Sequence, residues 1–253
     1  VKGCGGGRMG LSRPVQCVGI IVAILCFAPL ALAQTFTIAG ANPDGYSMGG
    51  VYISPYQATI SSGYSGLVIC DDFTDEVTVP ETWTVDSSTI GSGGDTGGLF
   101  ESDSYDYTLD YGSSQTFIYS GAQGYNAVAY LADELLTGGT YNNQIVASEL
   151  SFAIWTIFDP NAINYVTGIG ALSAATVQEA VEDDIAAALG DGIYTGPTVT
   201  VWTPTSWSSN VTRPQEFLTV ATPEASLPAT LVVSLLSFAG VVFLMRRRLV
   251  RPV

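Results

Sequence analysis

Residues 124–139, GYNAVAYLADELLTGG, mark the point where the pattern of this chain changes. Tyr125, Val128, Leu131, Ala132, Leu135 and Leu136 recur at the spacing of one helix face, and Gly138-Gly139 supplies the stop. Upstream, the text alternates instead. Thr35-Phe36-Thr37-Ile38, residues 49–60 around Pro55, Leu67-Val68-Ile69-Cys70, residues 76–85 around Pro80, and residues 115–119 are short runs punctuated by Gly, Ser, Asp and Pro. Such runs predict antiparallel strands. Residues 91–98, rich in glycine, predict a loop. Downstream, a second helix over 143–158 carries Val146, Leu150, Ala153, Ile154 and Ile157 on one face and ends at Asp159-Pro160. A third starts near Ser173 as N-cap, carries Val177, Val181, Ile185 and Leu189, and stops at Gly190; Thr176 and Glu179 are an alternative capping box. Residues 198–202 and 215–220 return to strand character. Strands, three helices and strands again predict one α+β domain: an antiparallel β sandwich or barrel with an inserted three-helix block packed on its sheet.

The two ends of the chain carry a different signal. From Met9, a plausible start, Arg13 precedes an apolar run over 15–32 and the small-x-small ending Ala31-Leu32-Ala33. That order predicts a signal peptide over 1–33, cleaved after Ala33, with an uncleaved anchor as the alternative. At the other end, Pro223-Glu224-Ala225 is followed by an uncharged apolar run over 227–245 and then Arg246-Arg247-Arg248. As a helix that run spans roughly 28 Å, close to the ~30 Å hydrocarbon core of a bilayer. The arginines would stay on the cytoplasmic side and leave residues 34–221 outside. The expectation is an exported protein anchored in the inner membrane, in contact with membrane lipid through 227–245.

Composition removes whole classes of function. Between residues 34 and 222 there are 22 acidic residues and one base, Arg213, a net charge of −21. Such a surface repels phosphate backbones, so nucleic acid is excluded as a partner. The chain has no histidine, and its only lysine is Lys2. Ser-His-Asp and Cys-His arrangements, His-containing zinc sites and lysine nucleophiles cannot be built. Cys17 and Cys26 fall in the signal stretch, so Cys70 is the lone cysteine of the exterior and no internal disulfide can form there.

Two resemblances sharpen this. Cys70-Asp71-Asp72-Phe73, Trp83, Ala129-Tyr130-Leu131-Ala132 and Ala153-Ile154-Trp155-Thr156-Ile157-Phe158-Asp159-Pro160, together with the tail, resemble exported proteins of Gram-negative bacteria that end in a PEP-CTERM signal. The resemblance implies that an exosortase-type membrane protease recognises Pro223 and Glu224, with Arg246, Arg247 and Arg248 orienting the span, and that the protein reaches the cell surface or extracellular matrix. Ala225 stands where that family usually has a second proline. Leu227-Pro228-Ala229-Thr230 imitates a sortase signal, but Leu231 replaces its glycine. The exterior is also similar to thioester domains of bacterial surface adhesins, which join a cysteine after a short strand to a glutamine four residues before the tryptophan of an Ala-Ile-Trp helix. Cys70 and Ala153-Ile154-Trp155 match, but the glutamine position holds Ser151, which has no acyl carbon to supply. Glu149 and Gln144 are off register. The resemblance thus implies a shared fold with the crosslink lost, and Cys70 is either a thioester residue or a buried thiol.

Asp71, Asp72, Asp75 and Glu76 fall within six residues, and Asp103, Asp106 and Asp110 surround tyrosines. Oxygen-rich loops of this kind hold Ca²⁺ in some proteins, although neither cluster has the EF-hand spacing. The alternative is a solvated acidic face that needs no cofactor. No pair of carboxylates is singled out for glycoside hydrolysis. Exposed aromatics suit sugars of an exopolysaccharide; Trp155 reads as core, and Trp202 and Trp207 as weaker core candidates. The expected function is a non-catalytic surface or matrix protein, with a thioester-type or calcium-dependent adhesin as the alternative.

Overall fold

The computed structural model of the chain describes residues 33–41, 45–75, 77–90, 97–110, 114–206 and 213–221. Six strands close an antiparallel barrel: β1 (Gln34–Ala41), β4 (Tyr56–Ile60), β5 (Ser65–Cys70), β10 (Phe217–Val220), β9 (Val199–Ser206) and β6 (Glu81–Thr89), in that order around the ring. The alternation read in Thr35-Phe36-Thr37-Ile38 becomes Phe36 and Ile38 buried and their neighbours more open. Phe36, Trp83, Phe217 and Tyr56 come from four different strands and meet in the middle, with ring centroids 5.1–5.9 Å apart. β1 and β10 are not neighbours in the ring, so the Phe36–Phe217 contact crosses the lumen. This aromatic plug makes the barrel a packed core.

Outside the barrel stand two hairpins, β2 (Ser47–Met48) with β3 (Val51–Tyr52), and β7 (Ser104–Thr108) with β8 (Thr116–Ser120). Neither was expected as such, although each has a local signal. Gly49 and Gly50 both sit at positive φ, the conformation a tight hairpin turn demands. In β7 the period-2 order Tyr105, Asp106, Tyr107 is hidden by Asp106, a residue type rare in strands. The strand expected over 76–85 starts only at Glu81, after Pro80, which has no N–H for a ladder.

The helical block follows the sequence closely. α1 (Gly121–Leu136) opens on a reciprocal capping box between Ser120 and Gln123 and runs into a 3₁₀ turn (Thr137–Asn142), where Gly138 and Gly139 have positive φ. α2 (Gln144–Phe158) is capped by Asn143, and α3 (Ala174–Gly190) by Ser173, whose Oγ accepts from the Thr176 amide. The cap of α3 is therefore Ser173, not the alternative at Thr176. The three helices pack on one another, and α1 also touches β8 and β10. Buried Tyr107 donates to Glu182 of α3, and so does the Asp110 amide, which ties the β7–β8 hairpin to the block. Trp202 corrects its expected place: it is 7 % exposed, with its indole donating to Thr219 Oγ1. Trp207 lies outside the described residues.

Candidate functional site

Cys70 ends β5, and the surrounding elements converge on it. Its amide donates to Ser54 Oγ at 3.1 Å, and its carbonyl accepts from Trp155 Nε1 at 2.9 Å. Ser54 in turn donates its own amide to Ser151 Oγ at 3.1 Å, and Ser151 donates to the Ala147 carbonyl at 2.7 Å. Ser151 and Trp155 are one helical turn apart on α2, so they share the face that meets the barrel end. Ser151 is thus a fully buried serine committed to backbone partners. Gln144 opens α2, where its carbonyl accepts from Ser148. Glu149 lies near Asp184 of α3, whose carboxyl is pushed up to about 7 by burial and then by Glu134 and Glu149.

The Cys70 thiol is fully buried and donates to the Asp72 carbonyl at 3.1 Å. Burial pushes its pKa well up, and the charges of Asp72 and Asp71 push the same way. A cation would be needed to reverse this. Arg213, far away in sequence, is indeed brought to the loop, but it is spent on carboxylates: Nη2 lies 2.5 Å from Asp75 Oδ2 and 3.9 Å from Asp72 Oδ2. The thiol keeps its proton and is a poor nucleophile.

The carboxylates expected to act together face separate tasks. Asp72 Oδ1 accepts from the Thr74 amide and hydroxyl and from the Asp75 amide, folding the loop on itself. Asp75 holds Arg213, and Gln215 Nε2 donates to the carbonyls of both Asp72 and Asp75 at 2.8 Å. Asp71 turns inward beside Glu216; both are fully buried. Glu216 accepts from the Tyr125 hydroxyl, from Thr203 Oγ1 and from the Leu99 amide. With both acids charged, neither Asp71 oxygen has a donor. With a proton, Asp71 donates to Glu216, and burial followed by the Glu216 charge holds its pKa well above the usual carboxylate range. Among the described residues, no group of three or more His, Cys, Asp or Glu is arranged to hold a metal ion. Glu76 lies outside them.

Beside this junction is a cleft of about 330 Å³ whose lining includes Tyr52, Tyr56, Phe73, Asp75, Trp155 and Tyr165. Its two sides are locked together at Gly49, which has φ +62°; a Cβ there would lie 2.1 Å from the Tyr165 carbonyl oxygen. No side chain fits, so the β2–β3 turn sits directly on the turn Pro160–Tyr165. Gly49→Ala combines a disfavoured φ with that clash, and thermal unfolding should show a loss of about 1–3 kcal/mol. Unchanged stability would mean that the two turns are not in contact.

Ala33 is exposed just before β1. Ala31, Pro223, Glu224, Arg246, Arg247, Arg248 and the span 227–245 lie outside the described residues. Among those described, no helix is long and apolar enough to cross a membrane.

No protein-family model matches the chain, and no curated protein matches it. Among solved structures, it is similar to the N-terminal thioester domain of fibronectin-binding protein SfbI from Streptococcus pyogenes, with 12% identity and a TM-score of 0.47 over 78% of this chain and 97% of that one. It is also similar to the N-terminal thioester domain of a surface protein from Clostridium perfringens, with 14% identity and a TM-score of 0.43 over 73% and 97%.

Proposed function

We propose that the chain is an exported, membrane-tethered surface or extracellular-matrix protein that binds without covalent capture and without catalysis. One observation carries the non-covalent part: Ser151, buried and bonded to the Ala147 carbonyl and the Ser54 amide, stands where a thioester would need its acyl donor. A protonated, buried Cys70 supports the same reading, as do the absence of histidine and the net charge of −21 between residues 34 and 222. Export and tethering rest on the basic-apolar-small pattern over 9–33 and on the 227–245 run with its arginines. In this reading an exosortase-type protease acts at Pro223-Glu224, and the matrix partner is an exopolysaccharide.

Intact mass of the protein recovered from the cell surface tests both parts. The expected species ends before residue 227 and has no mass deficit of one ammonia. Iodoacetamide should label Cys70 only after denaturation. A species deficient by one ammonia, with Cys70 blocked even when unfolded, would establish the thioester adhesin instead; a surface species still ending at Val253 would remove the sorting step.

A further inference from the structure

Two tyrosines on this surface are left open at considerable hydrophobic cost. Tyr52 is 54 % exposed and Tyr165 is 51 % exposed, although most large apolar side chains among the described residues are buried. Both line the same cleft. Phe73 lines it too, edge-on to Tyr165 with ring centroids 5.1 Å apart, and 5.3 Å from Trp155. Aromatic faces grouped in a concavity mark a ligand site more often than an accident of packing.

We propose that this cleft binds a neutral saccharide, with Tyr52, Phe73 and Tyr165 as stacking surfaces and Asp75 as the hydrogen-bonding group. A pyranose ring has apolar C–H faces and a polar rim, and the cleft has the complementary arrangement. The apolar rings make its wall, and Asp75 makes its polar edge. Gln215 spends Nε2 on the loop carbonyls and its Oε1 is buried, so it holds the loop in place and leaves the ligand's hydrogen bonds to Asp75, whose side chain is 19 % exposed. A volume of about 330 Å³ suits one or two sugar units.

Charge selects against the other candidates. The Asp75 carboxylate is already answered by Arg213 at 2.5 Å, so a cationic ligand would meet a neutralised pair and not a free negative charge. A uronic-acid polymer would approach a body carrying 22 acids and one base. Hydrolysis is not expected, because Asp75 is the only acid among the described lining residues and glycosidases need two. The site is also built before any ligand arrives. Gly49 fixes the turns against each other, and Tyr56 holds the Tyr52 carbonyl at 2.8 Å, so little ordering entropy is lost on binding.

The inference rests on the reading above, placing its saccharide partner in a defined cleft and restricting it to neutral sugars, and it fails separately from export, sorting and the absence of a thioester, since the mass measurement is indifferent to sugar. Cellobiose, maltose and N,N′-diacetylchitobiose are titrated into the full chain in detergent, with calorimetry and tryptophan fluorescence as readouts; digalacturonate and tetramethylammonium are the charged comparisons. At least one neutral disaccharide should bind saturably. Tyr165→Ala and Tyr52→Ala should each weaken it about tenfold, and Ile193→Ala, at an exposed site away from the cleft, should leave it unchanged. Both tyrosines are half in solvent, so their removal leaves the fold intact by circular dichroism. Failure of all three neutral sugars, equal binding by the tyrosine variants, or preference for tetramethylammonium or digalacturonate would overturn the proposal.

Discussion

Trp155→Ala will lower the unfolding free energy by about 3–5 kcal/mol, a large part of the 5–15 kcal/mol that holds a typical domain together. The indole is 2 % exposed and packs against Phe152 at 5.0 Å and Phe73 at 5.3 Å. Its loss opens a cavity at the seam between α2 and the barrel. It also strips the Cys70 carbonyl of its indole donor. Trp155→Phe separates the two effects, because it keeps much of the ring volume and removes the N–H. An orphaned buried carbonyl costs about 1–3 kcal/mol. Denaturant melts of both variants measure the difference, and a phenylalanine variant as stable as the parent would show that the indole–carbonyl bond does not anchor the strand end.

The second large effect is a stability that rises as pH falls from 8 to 5, opposite to the usual course of acid denaturation. Burial pushes Asp72 up to about 6 and holds Asp71 and Glu216 above their ordinary values. Between an unfolded pKa near ~4 and the raised folded values, the native chain keeps protons that the unfolded chain has lost. Stability is then fully present below the unfolded pKa and declines as pH rises through the folded one, at about 1.4 kcal/mol per pH unit for each extra proton held. The net negative charge of the body acts in the same direction, so melting temperature alone does not isolate the cluster. Asp71→Asn does. Its amide can donate to Glu216 at every pH, so the variant should be more stable than the parent at pH 8 and show a shallower slope. An unchanged slope in Asp71→Asn, or a parent most stable at pH 8, would mean that the Asp71–Glu216 pair does not share a proton.

Much of the fold was legible locally. A 3.6-residue period in 124–139 and 143–158, with glycine and Asp-Pro stops, specifies helices because an amphipathic stripe has to face a core whatever that core is. β1, β4 and β6 were legible for the same reason at period 2, and β5 as a short apolar run. The β7–β8 hairpin was obscured because an aspartate, Asp106, occupies the open position between Tyr105 and Tyr107. Of the residues that meet at the end of β5, Cys70, Ser151 and Trp155 could be named from sequence.

The sequence by itself determined the three helices and the strand character of the barrel, the burial of Trp155, and the chemistry that is impossible without histidine or an available lysine. Tertiary structure alone decided between sandwich and barrel. It also brought Arg213 to Asp75 across 138 positions, set Asp71 against Glu216, and opened one cleft between Tyr52 and Tyr165. The physical reason is range. Periodicity records which way a side chain points within its own element, whereas those pairings exist only once six strands have closed and the turns at Gly49 and Tyr165 have docked. Nothing in the neighbouring residues of either partner encodes that closure.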